Sequence, residues 1–465
     1  MKTVLIDYGD GKLPISVPDD AYVVEKTKPR ALKDPEAALR KALAAPVGLP
    51  PIKEWVKPGS RVVIAFDDPT RAPFPRQLAI PVIIEQLVEA GVKLGDILLV
   101  SAGANHRKYS QEEFRKYLGP RVFSQFEGDP SFPRIINHDA SDPDQLVTLG
   151  ASATGDFMQY NRCLVDYDHI FYCGTVGPNN WGGITGIGVV NGLAGQLSVR
   201  ATHRLPVIDH KDAVHANPRK SRFMRHKAAM MARVEEAIGK KVFYVDAFMA
   251  DGGGIADFVV GHSPEINEIQ WSRAEELYQT TTPEADILIC GLPGQLNYSD
   301  SDNQLTFVSC LLVIPRMWVN KPMLREGGVI IGAGKCRGIV ETPTFTPWLE
   351  VLKLWDNKAS IRDLSAYEES FLHRQDLIHA YRHDYGYHPL HGFWLMYECR
   401  YAYERASRIL MAGKVSPLEM RRLNVTPVPT VEEALASAMT TVRKKPSIVV
   451  IPDFWSGLRA QFRVE

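Results

Sequence analysis

Arg61-Val-Val-Ile-Ala-Phe-Asp-Asp68 is an apolar run without polar alternation that ends in two acids. A strand buried on both faces of a parallel sheet reads this way, and its carboxyl end opens onto a loop. Downstream, Leu78 to Ala90 carries a helical apolar period, and Asp96-Ile-Leu-Leu-Val-Ser-Ala-Gly103 repeats the strand-then-loop pattern. Ser110-Gln-Glu-Glu113 then opens a helix with an N-cap and acids in its first turn. Further strands are expected at His169-Ile-Phe-Tyr-Cys-Gly174 and Lys241 to Ala247. Upstream, Val4 to Tyr8, Gly9-Asp-Gly-Lys12 and Leu13 to Val17 spell a β-hairpin. A second series follows at Asp286 to Gly291, Gly328 to Gly334 and Ser447 to Pro452, with helices expected at Gly392 to Ala412 and Thr430 to Val442. Strands alternating with helices predict an α/β fold of two α/β domains, residues 1–270 and 271–465, with mostly parallel, Rossmann-like sheets and an interdomain cleft.

The 465 residues exceed what one hydrophobic core usually organises, which agrees with two domains. Formal net charge is zero, so there is no electrostatic case for nucleic acid or an acidic membrane surface, and a small-molecule ligand is the expected partner. Six scattered cysteines without a CxxC pair read as reduced thiols. The N-terminus lacks the apolar segment of a signal peptide and no stretch approaches the ~20 apolar residues of a membrane span. A cytoplasmic protein is expected, of unspecified oligomeric state.

Four segments place polar groups at strand ends or on loops, where open parallel sheets bind ligands. In Asp68-Pro-Thr70-Arg71 the guanidinium can clamp a carboxylate or phosphate while Asp68 orients it; a capped turn with an exposed ion pair is the equal alternative. In Gly103-Ala-Asn-His106-Arg107 the histidine is placed as a general base. The run from Gly174 to Gly195 contains Gly182, Gly183, Thr185, Gly186 and Gly188, which can let backbone N–H groups approach a phosphate, although neither a Lys-Ser/Thr ending nor Gly-x-Gly-x-x-Gly spacing is present. His203, at the end of the next helical stretch, can ligate a metal or cap helix carbonyls. Among His373, His379, His383, His388 and His391, only Tyr385-Gly-Tyr-His388 reads as a site loop. The basic run Arg219-Lys-Ser-Arg-Phe-Met-Arg-His-Lys227 reads as a charged helix face.

In their order along the chain, these segments resemble the lactate racemase family, the nickel-pincer-nucleotide-dependent 2-hydroxyacid racemases and epimerases. Asp68-Pro-Thr-Arg71 matches its Asp-x-Thr-Arg, Gly103-Ala-Asn-His106-Arg its Gly-Thr-His-Arg, and Asn137-His-Asp139 with Leu146 to Gly150 its His-Asp segment. The eleven-residue interval from Gly192 to His203 also matches. The resemblance implies an isomerase whose cofactor, a nickel pyridinium-3,5-bisthiocarboxylic acid mononucleotide, takes a hydride from C2 of a 2-hydroxy acid. It assigns the metal to His203, a proton-accepting role to His106, and a carboxylate or cofactor contact to Arg71. Asp68, Thr70, Gly182, Gly183, Thr185, Gly186 and Gly188 become cofactor contacts, residues 1–270 the cofactor-binding domain, and residues 271–465 the domain that closes over substrate.

Two positions depart from the family pattern. No lysine occurs between Lys116 and Lys211, where the family's covalent cofactor anchor lies, so attachment by that route is excluded. Asn179 stands where the family has its second base, and an amide accepts no proton at neutral pH; His388, Tyr387 or a water is expected in its place. The expected function is racemisation or epimerisation of a 2-hydroxy acid with a non-covalently bound nucleotide. The alternatives are a paralogue that binds a nucleotide or sugar acid without turnover, and one-directional single-base redox or lyase chemistry.

Overall fold

The computed structural model describes residues 1–125, 135–208, 216–356, 358 and 360–465. Its first sheet has six strands in the spatial order Ile255–Gly261, Val242–Met249, His169–Val176, Val62–Asp67, Ile97–Ala102 and Ile135–Asn137. All neighbours are parallel except the antiparallel pair Val242–Met249 and Ile255–Gly261. From Val62–Asp67 the chain adds strands outward to one edge, then returns to place His169–Val176 on the other side of the same strand. The strand order therefore reverses between Val62–Asp67 and His169–Val176, and ligands of doubly wound sheets bind outside the carboxyl ends at such a point.

The strand expected from Arg61 onward is buried from Val62 to Phe66, as its unbroken apolar character requires. The connecting helix spans Phe74–Glu89, and Ser110 and Glu113 form a reciprocal capping box on Gln111–Leu118.

The second sheet has eight strands. Ala285–Pro293 pairs parallel with Leu324–Cys336 on one side and with Ile448–Ile451 and the end of Lys2–Gly9 on the other. The N-terminal hairpin, Lys2–Gly9 with Gly11–Val17, thus joins this sheet and not the one formed by the residues that follow it. Sheet membership therefore crosses the linear division at residue 270.

The helix expected over Gly392 to Ala412 spans His391–Arg405 instead, and Arg408–Val415 is a strand. Ala406 leaves the helical region at φ −80°, ψ 137°, and the apolar segment beyond it pairs with Leu324–Cys336. No described helix is long and apolar enough to cross a membrane.

Candidate functional site

A cavity of about 1080 Å³, counted out to its open mouth, lies at the strand-order reversal. The first sheet contributes Asp67, Asp68 and Arg71, the loop Ala102 to His106, and Gly174, Thr175 and Asp246. Tyr298, His391, Trp394, Glu398 and Arg459 close it from the second series of elements.

His106 and Asp68 form one functional unit. His106 Nδ1 donates to Asp68 Oδ2 at 2.6 Å, which leaves Nε2 as the basic nitrogen. The other carboxylate oxygen accepts from the Thr70 hydroxyl at 2.5 Å. Burial favours the neutral acid, but His106, Arg71 and Thr70 outweigh it and hold Asp68 below its usual range. Asp68, which the sequence assigned to the cofactor, is thus engaged by His106 and Thr70. Thr70 does not line the cavity; it bridges Asp68 and Arg71, accepting from Arg71 Nη1 at 3.1 Å. Arg71 does line the cavity, as expected.

The glycine-rich run turns back on itself through a bridge between Pro178 and Ile184. Gly182 and Gly183 form that turn away from the cavity, whereas Thr185, Gly186 and Gly188 line it. The Thr185 hydroxyl donates to Thr175 O at 2.6 Å and accepts from Gly177 N at 2.9 Å, so it braces the run. The helix after the glycines, Val189–Gly192, is a single turn. At Gly188 a Cβ would fall 2.1 Å from the Tyr172 ring, so only glycine lets the backbone lie there.

His203 ends the helix Gln196–His203. Its Nδ1 donates to Val199 O at 3.1 Å and lies 2.7 Å from the Thr202 hydroxyl, while Nε2 has no partner among the described residues. Nδ1 thus caps a helix carbonyl, and Nε2 is left uncommitted. Burial pushes the ring down to about 3, so it is neutral and able to ligate. Trp181 and Trp394 pack on it, with ring centroids 4.6 and 4.7 Å away.

Lys227 is the residue whose importance the sequence conceals. Four positions after Phe223 on the helix Arg222–Ile238, it is buried, lines the cavity with Phe223, and donates to Gly186 O. The basic run read as a charged face therefore has one face that turns inward. The available signal was the spacing of Phe223, Lys227, Met230, Met231 and Val234, the buried stripe of an amphipathic helix. Burial lowers Lys227 to about 8, and burial together with Asp67 raises Asp246 to about 7. Asp246 Oδ1 is buried without a partner at the same end of the cavity.

His388, one of the residues expected as a second proton acceptor, does not reach the cavity. His388 is buried outside the cavity with both nitrogens engaged. Nδ1 meets Asn105 Nδ2 at 2.8 Å, and Nε2 meets Gln196 Oε1 at 2.9 Å and Ser141 Oγ at 3.2 Å. It supports the loop that carries His106. His391, three residues on, reaches the cavity instead. Its ring lies 5.3 Å from that of His106 and stacks on Trp348, and its buried Nδ1 has no partner. Asn179 lines the cavity, but its side-chain oxygen accepts from Trp181 N at 2.8 Å, so it shapes the turn.

Among the described residues no three His, Cys, Asp or Glu side chains converge as a metal site. One neutral imidazole with a free Nε2 fits a metal that arrives with its other donors, as a pincer nucleotide does, and not one held by protein alone.

Residues 8–215 match the model of the lactate racemase N-terminal domain. The lactate racemase of Thermoanaerobacterium thermosaccharolyticum is 21% identical over 349 residues, covering 72% of this chain and 75% of that protein. The structure of its apoprotein superposes with a TM-score of 0.75 at 17% identity over 100% of both chains. A Thermotoga maritima protein solved by a structural genomics consortium gives a TM-score of 0.58 at 16% identity, over 95% of this chain and 100% of that one. With its motifs in the expected order, this chain carries a lactate racemase N-terminal domain over residues 8–215 and shares the fold of the lactate racemase apoprotein.

Proposed function

We propose that the chain is a racemase or epimerase of a 2-hydroxy acid, working by reversible hydride transfer to a non-covalently bound nickel-pincer nucleotide. The observation that carries this reading is that one cavity holds both an aspartate-oriented base, His106, and a neutral imidazole with a free Nε2, His203. The nucleotide, when bound, supplies the hydride acceptor. His203 would hold its metal, and Lys227 would face one of its anionic groups without forming a covalent bond.

Arg71 receives the substrate carboxylate with the N–H groups it does not give to Thr70. His106 Nε2 takes the proton of the 2-hydroxyl, and the Asp68 carboxylate stabilises the resulting imidazolium. His391 stands beside it as the second proton acceptor, a role Asn179 cannot fill. Trp181, Phe223 and Trp394 exclude water from the reacting end of the cavity.

The test is protein produced together with the enzymes that make the nucleotide. Nickel should be bound in proportion to chain, denaturing mass spectrometry should release intact nucleotide from unmodified polypeptide, and His203→Ala should abolish nickel retention. Cofactor still attached to the denatured chain would overturn the non-covalent reading. Binding without turnover is favoured by one observation, the engaged carboxamide of Asn179. It gains the field if nucleotide binds but no enantiopure 2-hydroxy acid is racemised or epimerised.

A further inference from the structure

Two arginines of the cavity make no close ion pair with a carboxylate among the described residues. Arg71 comes from the loop after Val62–Asp67, whereas Arg459 comes from the segment before the last strand, Gln461–Val464. Among the described residues the Arg71 guanidinium gives one hydrogen bond, Nη1 to the Thr70 hydroxyl, and the Arg459 guanidinium gives one, Nη1 to Asn180 Oδ1 at 3.0 Å. Among the described residues no Asp or Glu oxygen lies within 4.0 Å of either guanidinium. The carboxylates around them are otherwise engaged. Asp68 accepts from His106 and Thr70, Asp67 from Arg76 and Tyr172, and Glu398 is linked to Asn180. Arg316 adds a buried cation beside Glu398.

Two half-buried guanidiniums that face one cavity and keep most of their N–H groups free are set to receive an anionic group between them. The Tyr298 ring, 5.2 Å from that of His106, lines the same part of the cavity. A ligand whose hydroxyl faces His106 therefore has a guanidinium for the carboxylate next to that hydroxyl and a second one further along.

We infer that the substrate is a 2-hydroxy acid with a second carboxylate, Arg71 binding the carboxylate beside the hydroxyl and Arg459 binding the distal one. This rests on the 2-hydroxyacid reading given above and narrows it to diacids. Asn180 and Glu398 act as positioning residues, setting the Arg459 side chain against the cavity wall. The basic residue that recognises the distal group thus comes from the segment just before Gln461–Val464.

The test is titration of the full chain, with and without bound nickel-pincer nucleotide, using L-malate as the diacid and L-lactate as the monoacid. Malate should bind at least ~10-fold tighter than lactate. The malate-to-lactate affinity ratio should collapse toward one in Arg459→Met and be partly retained in Arg459→Lys, with thermal melting confirming that both variants fold. Equal affinities in the parent chain, or an unchanged ratio in a folded Arg459→Met, would overturn the inference while leaving the 2-hydroxyacid reading standing. Loss of nickel-pincer nucleotide in Arg459→Met without a change in the ratio would assign Arg459 to the cofactor and overturn it as well. If neither acid binds while the nucleotide does, the 2-hydroxyacid reading fails and takes this inference with it.

Discussion

Asp68 shows how far residue types go and where they stop. Its place in Asp-x-Thr-Arg is visible in the sequence, but its partner is His106, 38 residues away and on the adjacent strand's loop. Spacing within one segment cannot reveal a contact made between two strand ends, so the pairing with Arg71 was the natural expectation. The same holds for His391 and His388, three residues apart: one lines the cavity and the other is wholly buried behind the His106 loop. Under the proposed function Asp68 is a positioning residue for a base, and Asp68→Asn should behave accordingly. Turnover should fall by about two orders of magnitude or more with little change in KM, and the limb of the pH profile assigned to the base should move to lower pH because the imidazolium loses its counter-ion. If the variant instead loses nucleotide while its pH profile stays in place, Asp68 contacts the cofactor.

At the scale of elements, unbroken apolar strands and capped helices were legible because each is fixed by nearby residues, as at Val62–Asp67 and the capping box of Ser110. The strand Arg408–Val415 was not, since Arg408-Ile-Leu-Met-Ala-Gly413 suits a helix equally and becomes a strand through its partner Leu324–Cys336. The glycine-rich run was recognised as a special loop, but its form depends on Tyr172, whose hydroxyl donates to Asp67 Oδ1 at 2.6 Å. A Cβ on Gly188 would meet that ring at 2.1 Å, although its φ of −66° suits any residue. The demand for glycine there is steric, and Gly188→Ala must displace either the run or Tyr172. It should cost about 1–3 kcal/mol of stability and weaken nucleotide binding by ~10-fold or more. Chemical denaturation and nucleotide titration check this, and a variant that binds normally would show that the run lies clear of the nucleotide.

For the whole molecule, the parallel α/β class was legible and the strand order was not, because pairing of the N-terminal hairpin with the second sheet is a contact across almost 300 residues. That order gathers the buried titratable groups at one place, and their protonation should govern acid stability. His138, His203, His388 and His391 all lie below the ordinary histidine value, in each case chiefly through burial. The unfolded chain protonates these rings below about pH 6.5 while the folded chain keeps them neutral, so each reduces stability as pH falls from there toward its folded value. Asp246 and Glu398 act oppositely. Burial raises each to about 7, so between their unfolded values and 7 the folded chain holds protons that the unfolded chain has released, and acidification favours folding. His169 and His226 are lowered by burial as well, so the lowered imidazoles outnumber the raised carboxyls and the unfolded chain holds more protons than the folded one between pH 5 and 6. Urea unfolding of the full chain at pH 7.5, 6 and 5 should therefore show a falling midpoint, steeper once Asp246→Asn or Glu398→Gln removes an opposing carboxyl. A midpoint that holds or rises toward pH 5 would mean that these rings are protonated in the folded protein. In that case His203 could not present the neutral nitrogen that a metal requires.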